Sequence, residues 1–192
     1  HAPKGMGALY IRRGTRIRPL MYGGHQERGR RPGTENVPGI VSMGKAAELA
    51  LRHLPDEERV RALRDRLESA ILSRFSNVQL NGSKEARVPN TTNVGFEYIE
   101  GEAILLYLNE KGIAASSGSA CSSGSLEPSH VLRAMGVPFT AAHGSIRFSL
   151  SRFTTEEEID YTVSVLPEII ERLLEISPFW DSAAKRCRPV SP

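Results

Sequence analysis

Only two cysteines occur in the 192 residues, Cys121 and Cys187, far apart and in unlike surroundings. That scarcity excludes a disulfide-stapled scaffold and a set of thiolates at metal-ligand spacing, and it suits reduced thiols. No apolar run approaches the ~18 residues that a membrane-spanning helix needs. The first residues also lack the charged-then-apolar pattern of a secretory signal, so the expected setting is the cytoplasm with no membrane partner. An initiating Met is missing, and the chain reads as a piece of a longer one. No internal repeat is present.

Hydrophobic residues make up 40% of the chain, enough for one good-sized domain or two small ones. The net charge of +3 is unevenly spread. Lys4, Arg12, Arg13, Arg16, Arg18, Arg28, Arg30 and Arg31 stand in the first 33 residues against Glu27 alone. These arginines alternate with Gly and Pro turns instead of following a helix or flanking aromatic residues. A compact anion such as a phosphate group is therefore a better match than nucleic acid.

Gly7 to Ile11 reads as a strand, and residues 14–35 as a Gly/Pro/Arg-rich connection without apolar period, of a length usually kept for function. Helical spacing of Ile40, Met43, Ala46, Ala47, Ala50 and Leu51 predicts a helix from Val37 to His53, capped by Thr34 or Asn36. Val60, Leu63, Leu67, Ile71 and Leu72 predict a second from Asp56 to Phe75, with a domain boundary at Pro55. Short strands then alternate with helices. Strands are expected at Val78–Leu80, Thr91–Ile99, Ile113–Ala115 and Ser145–Leu150, and helices at Glu102–Glu110, Pro128–Met135 and from a Thr154 cap to Ile176, with Pro167 a possible kink. Gly136 is a natural helix stop, and the tail after Ser177, with Cys187, is expected to fray.

Three places carry candidate chemistry. Cys121 sits at the centre of a loop of Ser and Gly, residues 116–125, where nothing packs a core. Two readings stand side by side: an incidental surface thiol, or a sulfur nucleophile on a swinging arm. A helix N-terminus near Pro128, His130 on its first turn and Arg133 one turn later are the groups within sequence reach that lower a thiol pKa. Arg147, held on a strand between Ile146 and Phe148, has the fork to grip a carboxylate in a bidentate pair, or to form a plain surface ion pair. The Arg31-Pro32-Gly33-Thr34 turn offers guanidinium, hydroxyl and backbone N–H groups to a phosphate, without the lysine of a nucleotide-binding P-loop.

Four stretches occur together in one order: Ala2-Pro3-Lys4-Gly5-Met6-Gly7-Ala8-Leu9-Tyr10, residues 23–36 from Gly23-Gly24-His25-Gln26 to Thr34-Glu35-Asn36, Ser117-Gly118-Ser119-Ala120-Cys121-Ser122-Ser123-Gly124, and Ile146-Arg147-Phe148-Ser149-Leu150. In this the chain resembles the C-terminal half of cysteine desulfurases, closest to the group associated with nitrogen fixation, from His1 to about Trp180. The resemblance implies an α/β, aspartate-aminotransferase-like (fold type I) pyridoxal-phosphate enzyme. It converts L-cysteine to L-alanine and stores the sulfur as a persulfide on a cysteine that Cys121 matches. Thr34 matches the residue that reaches the cofactor phosphate of the neighbouring subunit in a homodimer, and Arg147 the one that holds the substrate α-carboxylate.

The resemblance also implies residues 1–55 as the end of a large cofactor-binding domain, 56–180 as a small α+β domain carrying the cysteine loop, and 181–192 as a flexible tail. It implies an iron–sulfur scaffold protein as sulfur acceptor, with nitrogenase maturation as the destination. No resident metal is expected, although Cys121 could touch a nascent cluster in passing. The family's cofactor lysine lies two positions upstream of His1, and Lys4 does not match it. The chain alone is then expected to hold the sulfur-accepting thiol without a complete cofactor site. Rival readings are an inactive fragment or persulfide carrier, a parent resembling selenocysteine lyase or cysteine sulfinate desulfinase, and nucleic-acid binding through the basic front end.

Overall fold

The computed structural model describes residues 2–117 and 128–181, and the backbone of 186 and 187. Contacts divide the chain into two compact units, residues 1–55 and 56–192.

In the first unit, residues 2–25 contain turns and bends but no regular element. The strand expected at Gly7–Ile11 does not form. The unit supplies no second strand to satisfy its backbone groups, and Leu9 and Tyr10 stay exposed. A single turn, α1 (Gln26–Gly29), follows, in which Glu27 (φ 50°) and Arg28 (φ 59°) are left-handed ahead of Gly29 (φ 73°). Each non-glycine residue held there costs ~1–2 kcal/mol. Helix α2 (Val37–Arg52) then starts at Asn36, whose side chain accepts from Gly39 N at 3.1 Å, a choice of cap that the sequence left open between Thr34 and Asn36. None of the α2 residues is buried, so its apolar stripe exists in sequence without a surface to cover it within this unit.

The second unit holds the core. A 3-10 turn (Leu54–Asp56) leads into α3 (Glu57–Arg74). Strands β1 (Val78–Leu80), β2 (Thr91–Phe96), β3 (Ser116–Ser117) and β4 (Ser145–Ser149) form one antiparallel sheet in the order β1-β2-β4-β3. Helix α4 (Gly101–Glu110) joins β2 to β3, the short helices α5 (His130–Ala134) and α6 (Phe139–His143) precede β4, and α7 (Glu156–Ile176) closes the unit. Alternation does the sorting. Thr92, Val94 and Phe96 of β2 and Ile146 and Phe148 of β4 point to one face, where Leu67, Ile71, Ile104, Leu108, Leu166 and Ile170 from α3, α4 and α7 cover them.

Helix α7 begins one residue later than expected. Thr155 is the cap, accepting from Glu158 N while the Glu158 carboxylate accepts from Thr155 N, and Thr154 instead accepts from Ser151 N. Pro167 lies inside α7, which continues to Ile176. The strand expected at Ile113–Ala115 falls at Ser116–Ser117, because the chain first returns to α4 through Ile113 N to Leu108 O. Residues 186–187 form β6 against β5 (Trp180–Asp181) within the stretch expected to fray, and Trp180 packs on the core.

A buried ion pair ties the 81–90 connection to α3. Arg87 makes a fork onto Glu68 (2.6 and 2.9 Å), which also accepts from Thr92 Oγ1 at 2.6 Å, while Arg64 donates to Val88 O at 2.9 Å. Burial alone would raise the Glu68 carboxyl, but the hydrogen bonds from Arg87 and Thr92 and the charges of Arg87 and Arg64 outweigh it and hold it below its ordinary value. A carboxyl depressed in the folded state stabilises the fold above its unfolded pKa of ~4.3, and that stabilisation drains away as pH falls through the folded value. Glu68→Ala takes the fork from Arg87 and leaves it the longer contact to half-exposed Asp65 at 3.6 Å, and is expected to lower the unfolding free energy by about 2 kcal/mol at pH 7. Urea titrations at pH 7 and pH 3 check this, because a deficit that does not shrink on acidification rules out the ion pair as its source.

Candidate functional site

The face of the sheet opposite the core is polar. Arg147 stands on it, in β4, with Asn93 of β2 as its cross-strand partner on one side and Ser116 of β3 on the other. Its side chain is exposed, and among the described residues no carboxylate pairs with it. β4 is an interior strand, so the backbone beneath Arg147 is held from both sides. A guanidinium on a backbone held from both sides, with no counter-ion among the described residues, is equipped to grip an external anion in a bidentate pair.

β3 is described to Ser117, one residue past Arg147's neighbour Ser116. The loop of residues 118–127, with Cys121, lies outside the described residues. The chain is described again at Pro128, and α5 starts at His130, which is exposed. This helix is five residues long, shorter than the expected Pro128–Met135, and it stops where expected: Gly136 takes φ 76° and its N–H returns to Arg133 O.

The third place lies in the first unit. Gln26 Oε1 accepts from Gly33 N at 3.3 Å and closes the turn, with Gly33 at φ 104°, and the Arg31 guanidinium bends back onto Pro32 O at 2.7 Å. Thr34 follows, exposed, and its hydroxyl has no partner among the described residues. A free hydroxyl on a closed turn, between Arg30 and Arg31 and the capped start of a sixteen-residue helix, is a donor set that fits a phosphate group.

Sequence reasoning passed over one feature. Asn81, Asn93 and Ser145 form a hydrogen-bonded row across the polar face, with Asn81 Nδ2 donating to Asn93 Oδ1 (2.7 Å) and Ser145 Oγ (3.0 Å). The signal was the period-two placement of Thr91, Asn93 and Gly95 between Thr92, Val94 and Phe96. Among the described residues no group of three or more His, Cys, Asp or Glu is placed to hold a metal, and no helix is long and apolar enough to cross a membrane.

Comparison with known proteins gives these motifs a family. The class-V aminotransferase family matches residues 1–162. The chain belongs to that family. It is 67% identical over 185 residues to a cysteine desulfurase of Gluconacetobacter diazotrophicus, which covers 96% of this chain and 46% of the relative. It is 62% identical over 181 residues to the cysteine desulfurase NifS of Azotobacter vinelandii, covering 94% and 45%. The chain thus spans about half the length of the curated relatives it matches. Among solved structures, a NifS-like protein superposes with a TM-score of 0.78 at 40% identity, covering 90% of this chain and 44% of that one. A NifS-like protein of Rickettsia africae gives 0.70 at 32%, covering 81% and 40%. The expected α/β, fold type I class therefore stands. Class-V aminotransferases are pyridoxal-phosphate enzymes, and names of this kind favour cysteine desulfurase over selenocysteine lyase as the relevant relative.

Proposed function

We propose that the protein carrying this chain is a pyridoxal-phosphate-dependent cysteine desulfurase, which takes sulfur from L-cysteine as a persulfide on Cys121 and releases L-alanine. The observation that carries the reading is Arg147, an exposed guanidinium on an interior strand with no carboxylate partner among the described residues, paired with Ser116 of the strand that precedes the Cys121 segment. The names of relatives 62–67% identical to the chain support the same chemistry.

In this reading Arg147 binds and orients the substrate through its α-carboxylate. Thr34 Oγ1 and the turn behind it hold the cofactor phosphate, in a homodimer that of the neighbouring subunit. Residues 1–55 are the end of the large cofactor-binding domain and 56–180 the small domain. Lys4, next to Gly5 at φ 82°, is given no bond to the cofactor. When bound, pyridoxal phosphate supplies the electron sink that makes the substrate sulfur electrophilic. Cys121, as thiolate, accepts that sulfur and then carries it outward, which suits a nucleophile in a run of Ser and Gly. The persulfide passes to an iron–sulfur scaffold protein in the cytoplasm, with nitrogenase assembly as the destination that the family resemblance implies.

The test is direct. The protein is expected to show the visible absorbance of bound pyridoxal phosphate and to form L-alanine from L-cysteine, with sulfide released when a thiol reductant is present. Cofactor binding without alanine formation from L-cysteine overturns the activity.

A further inference from the structure

Backbone hydrogen bonds fix how closely Asn93 approaches Arg147. Leu150 N donates to Asn90 O at 2.8 Å and Phe96 N to Gly144 O at 3.0 Å, so the hydrogen-bonded pairs of the β2/β4 ladder fall at residues 90, 92, 94 and 96 of the β2 chain. Asn93 and Arg147 therefore face each other across a non-hydrogen-bonded site. Such pairs hold their Cα atoms about 4.5 Å apart and bring side chains closer than any other pairing in an antiparallel sheet. On its other side Asn93 takes a hydrogen-bonded site, with Asn81 N donating to its carbonyl at 2.9 Å.

Counting donors and acceptors then fixes which end of the Asn93 amide is free. Ser145, fully buried, gives its one hydroxyl proton to Ala141 O at 2.7 Å, a backbone carbonyl that can only accept. The Asn81 atom that meets Ser145 Oγ at 3.0 Å must then be a donor, Nδ2, which leaves Asn81 Oδ1 to accept from Gln79 Nε2 at 3.1 Å. The second Nδ2 proton meets Asn93 at 2.7 Å, and the atom there must be the carbonyl oxygen. Gly95 lets the row cross the sheet: a Cβ at that position would stand 2.8 Å from Ala141 O. With Oδ1 committed to Asn81 on the β1 side, Asn93 Nδ2 is left as a donor that has no acceptor among the described residues, on the strand beside β4. Two neighbouring donors, one a cation, share a polar face on which no described carboxylate answers them.

We propose that Asn93 is a second anchor for the substrate α-carboxylate, its Nδ2 donating to the anion that Arg147 binds. The inference rests on the carboxylate role of Arg147 and adds to it a residue that measures the shape of the anion. An Asn kept only to tie β1 to β2 needs its carbonyl alone. The row that runs back to Ala141 sets the amide so that a donor, not an acceptor, meets the ligand.

The test uses the cofactor-loaded protein and two probes: the product L-alanine, which keeps the carboxylate, and cysteamine, which lacks it. Asn93→Ala removes one hydrogen bond to a charged group and is expected to weaken L-alanine binding, measured by calorimetry, about tenfold. Asn93→Asp sets a carboxylate beside Arg147 and is expected to weaken it about a hundredfold. In both variants cysteamine binds within about twofold of the parent protein, and the KM for L-cysteine rises while kcat holds within about threefold. L-alanine binding unchanged in Asn93→Ala, or cysteamine weakened as much as L-alanine, overturns the proposal. Arg147→Ala measured beside them separates the two levels: if it alone weakens L-alanine, Asn93 fails and the carboxylate site stands, and if it does not, the site itself fails. Should Asn93→Asp not fold, Asn93→Ala and Asn93→Ser give the same readings.

Discussion

Cys121→Ser is expected to leave the cofactor absorbance and L-cysteine affinity in place while alanine formation falls by a factor on the order of a thousand or more. The substitution changes one atom, and that atom is the proposed nucleophile. A serine hydroxyl has almost no anionic fraction at neutral pH, whereas a cysteine thiol, with an ordinary pKa near ~8.5, already has a few per cent as thiolate. The chain supplies the rest through a tether. Cys121 is four residues beyond Ser117, which is paired in β3, and four residues of chain reach at most ~14 Å. If Arg147 grips the substrate as proposed, a thiolate on so short a lead from the strand beside it has a high local concentration there. Single-turnover alanine formation and persulfide labelling check the prediction. Cys187→Ser is the control and is expected to keep the parent rate, because Cys187 lies in β6, far along the chain from β3 and β4. A Cys121→Ser protein that turns over at the parent rate removes the thiol from the reaction.

Much of the second unit was legible because its signals were local. The stripe of Val60, Leu63, Leu67 and Ile71 specified α3, and the alternation through Ile146 and Phe148 specified β4 and put Arg147 on the polar face. Errors arose where a distant partner decides. Gly7–Ile11 carries strand propensity, but a strand needs a neighbour, and its unit holds none. The α7 cap slipped by one residue because adjacent threonines offer the same hydroxyl; the choice fell to Thr155, which lies three residues before Glu158, while Thr154 was taken by Ser151 N. The row of Asn81, Asn93 and Ser145 could not be read from any one segment, since its members lie in three parts of the chain and only the β1-β2-β4 order assembles them. Arg147 and Cys121 stood out by residue type, whereas Asn93 acquires meaning only from register.

The Glu68 ion pair and the polar row suggest why the site can tolerate an unpaired cation. Both faces of the sheet are anchored by polar side chains, on the core side by Glu68 reaching Thr92 and on the other by Asn81 reaching Asn93, so β2 is gripped at consecutive residues. A strand held in this way transmits little movement to its neighbour, so the backbone that carries Arg147 is fixed before any ligand arrives. Binding then has only the side chain left to order, which for a long flexible one costs about 0.5–1.5 kcal/mol.

Arg147→Ala is accordingly expected to raise the KM for L-cysteine by about a hundredfold to a thousandfold, the equivalent of about 3–4 kcal/mol. The estimate follows from what is lost, a bidentate charge-assisted pair to a carboxylate, on a strand that needs no rearrangement to make it. Arg147→Lys separates charge from shape. Lysine keeps the cation but offers a point charge in place of the planar fork, and it is expected to recover only part of the loss, leaving KM about tenfold or more above the parent value. Ionic strength gives a further reading: an attraction that is mere surface electrostatics fades as salt is raised above physiological levels, whereas a pair formed in contact between Asn93 and Ser116 is screened much less. Steady-state kinetics on the three proteins at low and high salt decide the matter. A KM unchanged by Arg147→Ala, or fully restored by Arg147→Lys, would mean that the guanidinium is ordinary surface charge and that the carboxylate is held elsewhere.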